Sequence, residues 1–146
     1  MPEAGALLAI DYGKRTTGLA LGHRLTGSAR PLEPIRYRQA ESLLQQIGEV
    51  VGQWQPERIV VGLPLGPEGE ETAMSRDIRR FANRLGEVAP QCPIELHDER
   101  MSSQHAAQRF AQRRGEGRAR RRDAARMDSM AAAVILESWM SLHGIV

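Results

Sequence analysis

Ala6-Leu7-Leu8-Ala9-Ile10-Asp11-Tyr12-Gly13-Lys14-Arg15-Thr16-Thr17-Gly18-Leu19-Ala20-Leu21-Gly22 is the stretch whose reading decides the fold. Residues 6–11 form an apolar run that reads as a buried strand, and residues 17–22 read as a second one. The segment between them is too short for a helix, so the two strands form a hairpin with Asp11 at its turn. Gly13 permits a turn that a Cβ would hinder and lets the backbone approach a ligand closely. Lys14 and Arg15 lie in the same turn, where they could touch a phosphate. A hairpin turn carrying a solvated aspartate has the same pattern, so the motif alone does not decide its use.

Working outward, residues 28–36 read as a third strand that Pro31 and Pro34 place at an edge or make irregular. From Gln39 to Trp54, Leu43, Leu44, Ile47, Val50, Val51 and Trp54 recur at helical spacing, and Pro56 stops the helix. Arg58-Ile59-Val60-Val61-Gly62 is a β-branched run typical of a central strand. The glycine- and proline-rich segment 63–69 is a loop. Thr72 caps a helix running to about Leu85, with Ile78, Phe81 and Leu85 inward. Pro93–His97 is the last strand. Ser102 or Ser103 opens a helix to about Arg113, and Gly115-Glu116-Gly117 breaks it. A final helix starts at about Arg122 or Met127 and ends at Leu142, with Ala131, Ala132, Ile135, Trp139 and Leu142 facing in. Trp54 and Trp139 read as core residues. Connection lengths of this kind predict an α/β domain, residues 1–146, with antiparallel and parallel pairing mixed in one sheet flanked by helices.

Three acidic residues occupy three different settings. Asp11 ends the first strand, Glu99 follows the last one in His97-Asp98-Glu99-Arg100, and Asp128 precedes the alanine-rich final helix. Strand ends in such sheets are where ligands gather. Side-chain alternation sends Asp98 and Glu99 to opposite sides, so one of them joins Asp11. Small side chains in the last helix let it lie close to the sheet and bring Asp128 towards Asp11. Capping or helix-dipole duty accounts equally for an aspartate at that position. Three carboxylates held together repel unless cations sit between them, which points to hard divalent ions. Two such ions activate a water and stabilise the leaving oxygen in phosphodiester cleavage. His97 reads as a hydrogen-bonded structural histidine.

Composition narrows the class. The chain has 146 residues, 41% apolar and 26% charged, as expected of one globular domain. No apolar run approaches the ~20 residues of a membrane helix, and the first residues lack the basic region of a secretory signal, so a cytoplasmic location is expected. The single cysteine, Cys92, excludes an internal disulfide and a cysteine zinc cluster. Net charge is +2, but residues 109–126 hold eight arginines against Glu116 and Asp123. A basic segment on a mildly acidic body suits phosphates. Nineteen of the twenty basic residues are arginine, which reads as a compositional bias, and a solvated basic loop explains the segment as well as phosphate contact does. Aromatics are 4% of the chain, too few for a base-stacking platform.

Asp11-Tyr12-Gly13-Lys14-Arg15-Thr16-Thr17-Gly18, Val61-Gly62-Leu63-Pro64-Leu65, Asp98-Glu99-Arg100-Met101-Ser102 and Asp128-Ser129 through Ile135-Leu136-Glu137 together resemble the ordered motifs of the YqgF family, over about Leu7 to Trp139. Members of that family are regarded as Holliday-junction resolvases or as pre-16S rRNA nucleases. The resemblance implies an RNase H-like fold with a five-stranded mixed sheet. It implies that Asp11, Glu99 and Asp128 match the metal-binding acidic residues, that the cofactor is Mg²⁺ or Mn²⁺ as two ions, and that nucleic-acid phosphodiesters are hydrolysed. Lys14, Arg15 and Arg100, with Arg114, Arg118 and Arg121 of the basic segment, are the candidate backbone contacts. The resemblance further implies processing of the 5′ end of pre-16S rRNA, or resolution of four-way DNA by a homodimer. An RNA-binding assembly factor without catalysis is a third reading. Gly66-Pro67-Glu68-Gly69 departs from the asparagine and aspartate the family often carries there. Asp-x-Gly-x-x-x-x-Gly also resembles the first phosphate motif of actin-like ATPases and sugar kinases, whose two lobes this chain has no room for.

Overall fold

The computed structural model describes residues 4–101 and 126–145. Its strands are β1 (Ala6–Asp11), β2 (Thr16–His23), β3 (Ser28–Pro31), β4 (Ile35–Arg36), β5 (Arg58–Leu63) and β6 (Ile94–Asp98). Helix α1 (Ala40–Trp54) precedes β5, α2 (Ala73–Val88) precedes β6, and α3 (Met130–Leu142) closes the described chain. The sheet order is β3-β2-β1-β5-β6, with β4 pairing separately with β2. β1 and β2 are antiparallel, and β1, β5 and β6 run parallel. This is the RNase H-like mixed sheet.

Strand alternation sorts the core into two halves. Leu8, Ile10, Leu19, Ile59 and Val61 pack with α1 and α2 on one face, while Leu7, Ala9, Ala20 and Val60 meet α3 on the other. Each fully buried Leu, Ile or Val of these faces contributes roughly 1.5–3 kcal/mol. Thr72 caps α2 as expected, and Ser75 makes the cap reciprocal: Thr72 Oγ1 accepts the Ser75 N–H at 3.0 Å and Ser75 Oγ accepts the Thr72 N–H at 2.8 Å. α1 ends at Gln55, in the left-handed region, directly before Pro56.

Several expectations are corrected. The single third strand is two short ones, because the chain leaves the ladder between the two prolines; Leu32 N still donates to Leu19 O at 2.8 Å. Trp54 is half-buried rather than core, with the Arg30 guanidinium 5.3 Å over its ring. The final helix begins at Met130, after a 3₁₀ turn at Arg126–Ser129. Ala131 and Leu142 are exposed, and the buried face is instead Ala132, Ala133, Ile135, Leu136, Trp139 and Met140. Burial of Glu137 explains part of this rotation, since its Oε2 accepts the N–H of Ala29 at 3.0 Å and ties α3 to the edge strand. The helix expected over 102–113 lies outside the described residues.

Candidate active site

Asp11 is the last residue of β1, and the turn behind it is stapled twice. The Thr17 hydroxyl accepts the Gly13 N–H at 3.3 Å and stands 3.2 Å from the Gly13 carbonyl, to which the Tyr37 phenol donates as well. A Cβ on Gly13 would lie 2.2 Å from the Thr16 carbonyl oxygen, so only glycine closes this turn. Burial, aided by contact with Tyr12, pushes the Tyr37 hydroxyl up to about 12, and it stays a proton donor. The register pairs Asp11 with Gly18 across the hairpin and Ile10 with Val61 in β5.

Glu99 opens a 3₁₀ turn directly after β6. Alternation from Ala9 and Val60 places Asp11 and Gly62 on the α3 face of the sheet. Gly62 has no side chain to fill the space between them: a Cβ there would stand 3.4 Å from the Glu99 carboxyl carbon and 2.5 Å from Ile135 Cδ1. Both carboxyls are half-buried and both are pushed above the usual carboxylate range. For Asp11 the cause is burial; for Glu99 it is burial first, then the charges of Asp11 and Asp98. No ion pair among the described residues neutralises either one. Two adjacent, desolvated oxygen donors fit a hard divalent cation, which would relieve both the desolvation and the repulsion.

Asp128 reaches the same edge of the sheet by its backbone. The carbonyl oxygen of Asp128 would be 2.4 Å from a Cβ on Gly18, the residue paired with Asp11. Ser129 fixes this approach, its Oγ accepting the Leu19 N–H at 3.0 Å in a buried bond; the side chain thus tethers α3 to β2 instead of capping the helix. The Asp128 carboxylate is about half exposed and lies 3.6 Å from the Arg36 guanidinium. Among the described residues no three His, Cys, Asp or Glu side chains are gathered as a metal cluster. The charge of Asp11 bears on Glu99, while Asp128 lies at the same edge but is engaged with an arginine.

The candidate cations divide as well. Lys14 is largely exposed, 3.9 Å from Asp77, and Arg15 is exposed. Arg100 forms a fork on Asp98, with Nη2 2.6 Å from Oδ2 and Nε 3.1 Å from Oδ1, and donates to the Pro67 carbonyl at 3.3 Å. That guanidinium holds the Asp98 carboxyl below its ordinary range. The divergent 66–69 loop is closed by Glu70, whose Oε1 accepts the Glu68 N–H at 2.8 Å. Arg114, Arg118 and Arg121 lie outside the described residues. His97 is buried, as expected of a structural histidine, but its Nε2 has no hydrogen-bond partner among the described residues. Sequence reasoning missed Arg36, Tyr37 and the packing role of Gly62. A glycine inside a strand is the one signal that was present.

Sheet order, crossover helices and carboxylates at the carboxyl edge of the parallel strands define an RNase H-type domain with an acidic site. Solved structures agree on the fold: T. thermophilus RuvC in complex with Holliday junction substrate matches with a TM-score of 0.60 at 18% identity, covering 97% of each chain. The fowlpox virus Holliday junction resolvase matches with a TM-score of 0.56 at 9% identity, covering 94% of this chain and 99% of that one. The model of the RuvX family, described as Holliday junction resolvase, matches residues 5–142, and the chain belongs to that family. A protein of Edwardsiella ictaluri named "Putative pre-16S rRNA nuclease" is 44% identical over 135 residues, 91% of this chain and 92% of its own. One of Sodalis glossinidius with the same name is 39% identical over 141 residues, 96% of each. Both names describe hydrolysis of phosphodiester bonds.

Proposed function

We propose that this chain is a divalent-metal-dependent nuclease with its site at Asp11, Glu99 and Asp128. One observation carries the reading: the Asp11 and Glu99 carboxyls are both half-buried and raised, the charge of Asp11 bears on Glu99, and among the described residues no ion pair neutralises either. Asp11 would serve both of two divalent ions (Mg²⁺ or Mn²⁺), with Glu99 adding oxygen ligands to one and Asp128, on leaving Arg36, to the other. When bound, such ions supply an activated water and charge stabilisation of the departing oxygen. The protein's part is positional. The stapled Gly13 turn fixes Asp11, Gly62 leaves space for Glu99, and Gly18 with Ser129 bring Asp128 to the edge. Lys14 and Arg15, at the mouth of the turn, take the nucleic-acid backbone with a salt-dependent affinity, joined by Arg114, Arg118 and Arg121. Arg100 contributes on exchange of its Asp98 partner.

The substrate favoured is precursor 16S rRNA at its 5′ end, supported by the names of relatives at 39–44% identity. Four-way DNA is the second reading, favoured by the family description; it requires two sites at a fixed spacing and therefore a homodimer. Among the described residues no helix is long and apolar enough to cross a membrane, in keeping with work in the cytoplasm. The test is incubation of purified protein, in Mn²⁺ or chelator, with a precursor rRNA fragment, an unrelated single-stranded RNA and a synthetic junction. Cleavage of the precursor that chelator stops and Asp11→Asn abolishes is expected. Cleavage undiminished in Asp11→Asn would overturn the mechanism.

A further inference from the structure

Arg15, Thr16, Arg36, Tyr37 and Arg38 line an open cavity of about 310 Å³ on the β2–β4 pair. The ladder makes it a fixed shape: Thr16 pairs with Arg36, Tyr37 N donates to Arg15 O at 3.1 Å, and the Tyr37 hydroxyl is tied to Gly13. Three guanidinium-bearing residues surround one space, and the acid described beside it is Asp128, held by Arg36. No described ion pair involves Arg15 or Arg38. Like charges gathered around a cavity call for an anion, and the guanidinium fork matches phosphate oxygens in two directions. The cavity also has an address. Thr16 is two residues along β2 from Gly18, about 7 Å at the usual strand rise, and Gly18 is the partner of Asp11.

We infer that this arginine cavity binds a nucleic-acid backbone phosphate other than the one that is cut, and so sets the distance between the held phosphate and the Asp11–Glu99 edge. The inference rests on the nuclease reading for its ligand. Arg36 serves both features: a phosphate in the cavity competes with Asp128 for the same guanidinium and frees that carboxylate beside Asp11.

The experiment uses the full chain, a labelled single-stranded RNA, and binding measured without divalent ions over a range of salt. Arg38→Gln is compared with Arg30→Gln, which removes the same charge from the far end of β2, opposite Leu21. Thermal melting verifies that both fold. Arg38→Gln is expected to bind roughly tenfold more weakly and to flatten the plot of log affinity against log salt by about 0.7–0.9, one phosphate contact. Arg15→Gln repeats the loss from the other wall. Equal effects of Arg38→Gln and Arg30→Gln would reduce the cavity to general electrostatics and overturn the inference, as would a variant that binds like the parent. Inorganic phosphate at millimolar concentration and constant ionic strength is expected to leave RNA binding unchanged; displacement would assign the cavity to the free anion and overturn the strand assignment. Parent protein that binds RNA but cuts no substrate sinks the nuclease reading and leaves the cavity standing. Parent protein that cuts while Arg38→Gln binds normally sinks the cavity alone.

Discussion

Replacing Gly18 with alanine puts a Cβ 2.4 Å from the Asp128 carbonyl oxygen and 3.0 Å from Ser129 Cα. Both are backbone atoms, so no side-chain rotation relieves the clash. The 3₁₀ turn must move away from β2 by about 1 Å to restore ordinary contact, and overpacking of this kind costs roughly 1–3 kcal/mol. The same shift stretches the buried bond from Leu19 N to Ser129 Oγ, worth about another 0.5–1.5 kcal/mol. A total near 2–4 kcal/mol, at an unfolding entropy of about 2.1 cal/mol/K per residue, lowers Tm by ~7–13 °C for 146 residues. Displacing a reacting group by 1 Å costs about 100-fold in rate. Gly18→Ala is therefore expected to remain folded at 25 °C, melt early by calorimetry, and cut about 100-fold more slowly with unchanged Asp11 and Glu99. Ser129→Ala separates the two effects, since it removes the tether without forcing the backbone apart. Parental melting and parental cleavage in Gly18→Ala would refute the claim that close approach at this glycine places Asp128.

Asp11→Asn removes a half-buried carboxylate whose charge bears on Glu99, so in chelator it is expected to melt above the parent while losing cleavage; a lower Tm would remove the repulsion from the account. Mn²⁺ at 100-fold its Kd is expected to stabilise the parent by ~2.7 kcal/mol, ~9 °C, and to leave Asp11→Asn nearly unmoved in the same melt; equal shifts in both would remove Asp11 from the proposed ion site. His97 is held below its ordinary range chiefly by burial, so the unfolded chain binds more protons than the folded one just below pH 6.5. Stability is therefore lost as pH falls through that window, and His97→Asn should flatten the dependence in urea titrations at pH 7 and 5.5. Burial raises the Cys92 thiol, which keeps the reactive thiolate scarce; alkylation at pH 8 should be slow in the folded protein and become rapid in denaturant.

Most of the strand and helix order was legible because it is local. The run at 6–11, the β-branched run at 58–62 and the apolar spacing of 78, 81 and 85 each announce an element without reference to the rest of the chain. What was misread lies where the environment is two-sided. α3 is buried around most of its circumference, so no single stripe marked its inward face, and Ala131 and Leu142 were assigned to it wrongly. Trp54 looked like core by type, but its helix ends at the rim, where an arginine covers the ring.

The sequence by itself determined that acidic residues stand at strand ends, that one sheet combines parallel and antiparallel pairs, and that small residues line the last helix. These are matters of residue type and spacing along the chain. Which carboxylates meet was decided by tertiary structure alone. Glu99 lies over Gly62, and Asp128 is drawn to Arg36 beside Gly18, because these distances follow from how close the chain can pack where a side chain is missing. That closeness depends on pairs such as Gly62 with Glu99 and Leu19 with Ser129, the latter 110 positions apart, which no local pattern encodes.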